Sequence, residues 1–491
     1  MALNNFFFIL FCIPFIALLA LIQIFRNKAI KHDCPSRDDI LAKVQLGLIF
    51  LVSVLFAGIA DWRFALCLLV VSAFTYCMGY LVRSGRRRKS WLVVSIAALV
   101  SVLGFFKYTN FFIDSFTRIF GFTGVVLNIM LPLGISFYIF TAISYLMDVY
   151  RGKYEAEHDF LDFMVFMTFF PKVTSGPIIR GSEMLPQIKD YRGIKSDAFL
   201  VGIQIFVFGL FKKIVLADRL SVFVNDVWYA PTAFATGTVV LGVLSYALQI
   251  YFDFSGYSDM AIGLSKILGF DFSANFNLPY LATNMSDFWK RWHISLSSWF
   301  RDYLYFPLGG SRKGMARTYF NLFLVMAVSG LWHGAGVTFI VWGLLHGLGS
   351  CIHKLFAEIC KKHNLKAEGK VTGILSKLGR IMLTFVFVTL CWIPFRSEDM
   401  HKTMMVLTSL FTWHAGIVQP YTWSFFAMGC YLIGVIAAYI KKHNTGSKDV
   451  NGFYFIMDLS KFWSQVCFFV FCGITVLFAY FGNTAFIYGA F

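Results

Sequence analysis

Apolar runs long enough to cross a bilayer recur from one end of this sequence to the other. Residues 6–25, 64–82 and 423–440 are examples, and about 20 apolar residues suffice for a membrane-spanning helix. Because the runs are continuous and do not alternate with polar residues, they predict helices and not a barrel. Only 14% of the residues are charged, whereas soluble proteins carry about 25%. The sequence therefore predicts an all-α, polytopic integral membrane protein.

Basic residues are concentrated in alternate connections between the apolar runs, within a formal net charge of +17. This asymmetry is the pattern of cytoplasmic basic loops, and it predicts that the N-terminus and the C-terminus both lie outside. A nucleic-acid partner is not expected, since basic loops of this kind face anionic lipid. The basic connections are 26–43, 83–89, 354–380 and 441–448.

The chain reads as a single membrane domain, 1–491, in four consecutive parts. Residues 1–124 form the N-terminal spans, 125–352 the core with the histidine motifs, 353–380 a basic cytoplasmic loop, and 381–491 the C-terminal spans. In the core, residues 169–180 read FFPKVTSGPIIR. Their prolines and glycine predict either broken backbone enclosed by protein at membrane depth or an ordinary interfacial loop.

Two histidines, His293 and His333, lie near or within apolar segments of the core. Ionisable side chains at membrane depth are costly, which makes them functional candidates. His333 has Gly330 and Gly334 beside it, and glycines allow close approach of backbone or substrate. A neutral imidazole there could take a proton from a hydroxyl or thiol during acyl transfer; the alternative is a structural histidine at a helix break.

His293 lies within DFWKRWHISLSSWFRDYLY, a pattern that predicts an amphipathic helix at the membrane interface. Its cations could bind an anionic phosphate group or anchor the chain to lipid headgroups. No zinc-binding HExxH pattern occurs, so no metal site is predicted. The candidate substrate-binding residues around the two histidines are Trp289, Arg291, Trp332, Ser329, Arg301 and Asp302.

Other polar residues near apolar runs have simpler interpretations. Lys212 and Lys213 are expected to extend to an interface. Asp253 and Asp259 could act as an acid–base pair, although helix capping at Ser255 or Asp259 is commoner. His346 could line a pore, but a hydrogen-bonded packing role is the more frequent one.

Five stretches carry a family resemblance: LPLGISFYIFTAISYLMDVYRG, FFPKVTSGPIIR, QIYFDFSGYSDMAIGLSKILGF, FWKRWHISLSSWFRDYLYFPLGGSRKG and LWHGAGVTFIVWGLLHG. The chain resembles the membrane-bound O-acyltransferases, in the bacterial branch that serves alginate and peptidoglycan O-acetylation. The resemblance implies a ring of about 11–13 transmembrane and re-entrant helices around a central funnel. His333 matches the invariant histidine of the family, and His293 matches a second, more variable polar position. Small departures are Lys172 for glutamine and Val337 for an aromatic residue.

The resemblance also implies a reaction. An acetyl group would pass from cytosolic acetyl-CoA, a substrate and not a bound cofactor, across the bacterial plasma (inner) membrane. An extracytoplasmic partner of the SGNH-hydrolase type would then acetylate a polysaccharide, either an alginate-like exopolysaccharide or peptidoglycan. One alternative is the D-alanyl transfer protein of teichoic acid modification. Another is a transporter or flippase for a lipid-linked sugar, which predicts inverted repeats that this sequence does not show.

Overall fold

The computed structural model describes residues 3, 6–32, 34–121, 127, 129–363, 370–445, 456–480, 482 and 487. This part of the chain is helical, with short 3₁₀ and π-helical turns, which confirms the predicted all-α class. The first ten helices are α1 (Phe6–Lys31), α2 (Pro35–Gly58), α3 (Trp62–Ser84), α4 (Arg88–Phe120), α5 (Ile135–Tyr150), α6 (Phe160–Thr168), α7 (Phe170–Val173), α8 (Gly181–Lys189), α9 (Ser196–Leu210) and α10 (Asp218–Tyr229). The others are α11 (Thr236–Ile267), α12 (Met285–Trp289), α13 (Ile294–Phe300), α14 (Met315–His333), α15 (Val337–Lys362), α16 (Lys370–Arg396), α17 (Met400–Phe411), α18 (Thr422–Thr445) and α19 (Phe462–Leu477).

Within the described residues, nine helical spans are long and apolar enough to cross a membrane. They are α1, α2, α3, α4, the continuous unit from α9 to α10, α11, α15, α16 and α18; α5 and α19 are shorter apolar helices. The chain is therefore a multi-pass membrane protein. The ring around a funnel and the four-part division of the domain stay predictions.

Burial separates the inner helices from the outer ones. Fourteen of the 16 residues of α5 are buried, and α11 is buried along most of its length. By contrast, α1 to α4 and α16 expose large apolar side chains, such as Val70, Phe112 and Leu383. In a membrane protein such side chains face lipid. Two of the helices that carry the resemblance, α5 and α11, thus occupy the interior.

The segment 169–180 is broken and enclosed by protein. α6 ends at Thr168, α7 lasts one turn, and residues 162–179 are all buried. Of the two sequence interpretations, broken backbone enclosed by protein is the one that agrees with this burial, and its depth in the membrane stays a prediction. Lys172 lies in this turn with its Nζ over the Phe166 ring, 4.1 Å from the centroid.

One predicted loop is wrong. The basic loop 353–380 is mostly helix, because α15 continues to Lys362 and α16 begins at Lys370; residues 364–369 lie outside the described residues. Lysines suit the last turn of α15, where they complement the helix dipole. The predictions for the two chain ends fall on residues 1–2 and 488–491, outside the described residues.

Lys212 and Lys213 do not reach an interface. They occupy a π-helical stretch, Phe211–Ala217, between α9 and α10, and both are buried. Lys212 forms an ion pair with Asp259 at 2.5 Å, and Lys213 pairs with Asp218 at 2.7 Å and Asp253 at 2.6 Å. The capping prediction for Ser255 or Asp259 is also wrong, since both residues lie inside α11. Buried charges persist when they are paired, and here the partners come from neighbouring helices.

Candidate functional site

The segment around His293 is not one amphipathic interface helix. It contains two short helices, α12 and α13, followed by a π-helical turn, Arg301–Tyr305. The chain turns at His293, whose φ of 43° lies in the left-handed region. Trp292, Leu296 and Trp299 are all buried. The segment therefore packs within the protein, which is why a helix lying on the membrane surface does not form.

The imidazole of His293 is buried and held by polar neighbours. Its Nδ1 lies 3.3 Å from Asn275 Oδ1 and 3.4 Å from Ser295 Oγ. Phe254 contacts the ring edge-on, with centroids 4.6 Å apart. A left-handed conformation costs a non-glycine residue about 1–2 kcal/mol, and such strain persists only where the surroundings enforce it. Here the backbone N–H of Ser295 also donates to Asn275 Oδ1 at 3.0 Å.

His333 is the last residue of α14 and is 3% exposed. Its ring centroid lies 4.8 Å from that of Trp332, 4.9 Å from Trp342 and 5.3 Å from Phe395. The His293 ring lies 6.4 Å from the same Trp332 indole. The two candidate histidines are therefore both brought beside one tryptophan.

Glycines bring α14 and α15 close together next to His333. A Cβ atom at Gly330 would lie 2.3 Å from Phe339 O, and one at Gly343 would lie 2.4 Å from Met326 O. Small residues permit such close approach between membrane helices. The contact positions Trp342 of α15 against His333.

The carbonyl end of α14 is bound by α4, an arrangement that the sequence analysis missed. Lys107 Nζ donates to Trp332 O and His333 O, and Tyr108 Oη donates to Leu331 O at 2.7 Å. The available sequence signal was a lone lysine beyond an apolar run, and such charges are functional candidates.

A cavity of about 580 Å³ lies between α12–α13, α14 and α15. Ligand sites typically measure about 300–1,000 Å³. Its lining combines basic groups, serine hydroxyls and apolar surface. The lining residues are Ser286, Trp289, Lys290, Ile294, Leu296, Ser297, Ser298, Phe300, Arg301, Tyr305, Leu322, Val325, Met326, Ser329, Ser350, His353, Lys354 and Ala357.

The predicted substrate-binding residues divide into two groups. Trp289, Arg301 and Ser329 line the cavity. Trp332 lies instead between the two histidines. The other two occupy ion pairs: Arg291 binds Asp287 at 2.7 Å, and Asp302 binds Arg180 at 2.6 Å.

His346 links the cavity to His333. It lies one turn before Ser350 on α15, is fully buried, and contacts Trp289 at 5.1 Å and Trp342 at 4.8 Å between ring centroids. Neither ring nitrogen has a hydrogen-bond partner among the described residues. The prediction of a hydrogen-bonded packing histidine is therefore wrong. A polar side chain at this position can contact a molecule that extends from the cavity.

The cavity mouth and His333 lie at different levels along α4. Arg88, at the start of α4, donates to Tyr150 O, and Arg151 donates to Asp302 O beside Arg301 of the cavity rim. Lys107, which binds the backbone of His333, lies 19 residues farther along α4. At about 1.5 Å per residue this is roughly 28 Å, close to the hydrocarbon thickness of about 30 Å. Arg88 and Lys107 are thus about one hydrocarbon thickness apart along α4, and the cavity itself extends to Ser329, one turn before His333.

Comparisons with known proteins identify the family of this chain. The model of the membrane-bound O-acyltransferase family matches residues 155–391. A probable alginate O-acetylase AlgI of Pseudomonas putida is 40% identical over 362 residues, covering 73% of this chain and 70% of that protein. A peptidoglycan O-acetyltransferase of Helicobacter pylori is 38% identical over 354 residues, 66% of this chain and 65% of that protein. A teichoic acid D-alanyltransferase of Bacillus subtilis is 30% identical over 290 residues, 56% of this chain and 71% of that protein. The chain belongs to the membrane-bound O-acyltransferase family and is an O-acyltransferase.

Proposed function

We propose that this protein takes an acetyl group from cytosolic acetyl-CoA and moves it across the bacterial plasma membrane for O-acetylation of an extracytoplasmic polysaccharide. The observation that carries the proposal is the cavity with a basic rim that extends to Ser329, one turn before His333 on α14. The relatives named for alginate and peptidoglycan O-acetylation support acetyl as the transferred group.

The chemistry of the cavity suits coenzyme A. Lys290, Arg301 and Lys354 at its rim can bind the phosphate groups of the nucleotide. The serine hydroxyls and apolar walls suit the pantetheine arm, which carries amides on a largely apolar chain. Ser329 lies one turn before His333 on α14. A thioester that passes Ser329 and His346 therefore arrives close to the His333 imidazole.

His333 acts as the general base in this proposal. An acceptor hydroxyl attacks the thioester carbonyl, and its proton passes to the imidazole as the new C–O bond forms. The C–S bond then breaks, and the imidazolium returns the proton to the departing coenzyme A thiolate. His293, oriented by Asn275 and Ser295, positions or polarises the reacting groups. The acceptor is a hydroxyl of an extracytoplasmic partner of the SGNH-hydrolase type, which passes the acetyl group to the polymer.

The proposed orientation of the protein in the membrane follows from the positions of its basic residues. The cavity rim adjoins Arg88, Arg151 and Arg301, and basic segments lie on the cytoplasmic side of membrane proteins. We therefore place the rim in the cytosol and His333 near the outer face. A D-alanyl donor on a carrier protein is the second candidate, favoured by the Bacillus subtilis relative.

Sided proteoliposomes test the direction of the reaction. We expect consumption of acetyl-CoA only when it is supplied to the face that carries Lys354, because the cavity opens there. The measurement is release of coenzyme A, with protein orientation determined by protease protection of an epitope tag. Equal consumption from both faces would contradict the proposed direction. Activity that requires an acylated carrier protein would support the D-alanyl candidate.

A second prediction concerns donor binding at the cavity rim. Lys354→Gln should raise the KM for acetyl-CoA by about tenfold and leave kcat nearly unchanged, since a charge-assisted hydrogen bond contributes about 1.5–3 kcal/mol. Lys361→Gln is the matched control, because Lys361 is an exposed lysine on the same helix that does not line the cavity. Equal KM values for wild type and Lys354→Gln would rule out phosphate binding by Lys354.

A further inference from the structure

Side chains of α4 form hydrogen bonds with the last turn of α14. The carbonyls of Leu331, Trp332 and His333 fall among the last four of the helix, which have no intrahelical N–H donor. Tyr108 binds the first of them, and Lys107 binds the other two. After His333 the chain leaves the helix with extended backbone at Gly334. The two side chains of α4 are therefore what closes this helix end.

The charge of Lys107 suits the place it occupies. A cation at a helix C-terminus interacts favourably with the helix dipole. The Lys107 ammonium also lies 5.6 Å from the centroid of the Trp332 ring, a distance at which a cation is attracted to an indole face. Among the described residues its hydrogen-bond partners are backbone carbonyls. The ammonium thus fixes both the backbone and the ring of the residue that separates His293 from His333.

We propose that Lys107 is a positioning residue for acyl transfer, which holds the end of α14 so that His333 and Trp332 keep their places beside His293. The inference rests on the proposed role of His333. Lys107 lies on α4, outside residues 155–391 that match the family model, so an N-terminal span completes the site. Lys107 is not a catalytic residue, because its contacts are with the backbone and indole of α14.

Positioning of this kind affects turnover more than donor binding. A general base must lie about 2.6–3.2 Å from the heavy atom that carries the proton it removes. A displacement of about 1 Å can cost 10²-fold in rate. The cavity that would bind the donor is lined by residues 286–357 and has no residue of α4. A loosened α14 end should therefore lower kcat and leave the KM for the donor nearly unchanged.

Three variants in proteoliposomes test the proposal. Lys107→Met keeps the length of the side chain and removes its charge, and we expect kcat to fall about 10- to 100-fold with an unchanged KM for acetyl-CoA. Lys107→Arg retains a cation that can bind carbonyls, and its kcat should lie within about threefold of the wild-type value. A threefold difference corresponds to about 0.7 kcal/mol. Thr109→Ala is the control, because the Thr109 hydroxyl donates within α4, to Phe105 O, and it should behave as wild type.

The outcomes are distinguishable from those of the proposed function. Equal rates for wild type and His333→Gln would overturn the proposed function and this inference together. If Lys107→Met has the kcat of wild type while His333→Gln is inactive, this inference alone is overturned. An arginine variant no better than methionine, with both losing folded protein on heating, would also overturn it, because the role would then be structural. If Lys107→Met does not fold, Tyr108→Phe replaces it: a severalfold lower kcat at equal KM supports the proposal, and an unchanged kcat contradicts it.

Discussion

Replacement of His333 should lower acyl transfer by about 10²- to 10⁴-fold, the usual cost of losing a general base. The imidazole is enclosed by Trp332, Trp342 and Phe395, so His333→Ala also leaves a cavity. Truncation of buried side chains typically costs about 2–5 kcal/mol. His333→Gln is therefore the better variant, since glutamine fills most of the volume and can form hydrogen bonds but cannot act as a base at neutral pH.

The measurement is acetylation of extracytoplasmic polymer in cells, divided by the amount of protein that detergent extracts in folded form. His293→Gln serves as the comparison in the same assay. We expect it to cost less than His333→Gln, because His293 positions groups and does not take the proton. Wild-type acetylation by His333→Gln would show that the general-base assignment is wrong. If His293→Gln is equally inactive, the two histidines act as a pair and the ranking fails.

Removal of one partner of the buried Lys212–Asp259 pair should be strongly destabilising. Lys212→Met leaves Asp259 in the protein interior without this cation, 2.5 Å from the place of the lost ammonium. Breaking a buried pair typically costs about 3–5 kcal/mol, whereas replacing both partners by apolar residues is often neutral. We expect Lys212→Met to reduce the yield of folded protein sharply and to lower its Tm in detergent.

The double variant Lys212→Met with Asp259→Leu is the critical comparison. It should recover most of the lost Tm, because no uncompensated charge remains at the pair. Lys195→Met provides the matched control, since Lys195 is exposed and surface substitutions usually change stability by less than about 0.5 kcal/mol. A Lys212→Met protein as stable as wild type would show that the ion pair contributes little. A double variant less stable than Lys212→Met would point to packing and not to charge.

The sequence determined the class, the approximate spans and the most constrained position of the site. Continuous apolar runs require helices in a bilayer, so the all-α membrane architecture followed from composition and order alone. The broken segment 169–180 was recognisable because Pro171, Gly176 and Pro177 cannot continue a helix. His333 was recognisable because an imidazole with glycines on both sides is rare in an apolar setting. The role of His333 in catalysis stays a prediction.

The tertiary structure decided which apolar surfaces face protein and which face lipid. Hydropathy cannot distinguish these, since lipid tails are as apolar as buried side chains. For this reason the segment around His293 was read as an interface helix although its aromatic residues are buried. The lysine pair at 212 and 213 was likewise assigned to an interface.

Contacts between residues that are far apart in the sequence could not be predicted from the sequence around either residue. Asp259 is 47 residues from Lys212, and Lys107 is 226 residues from His333. Periodicity describes only the faces of one helix, and such contacts depend on how separate helices pack. The sequence alone therefore determined that a buried histidine stands at a helix break, and only the packing of α4 and α15 against α14 decided what surrounds it.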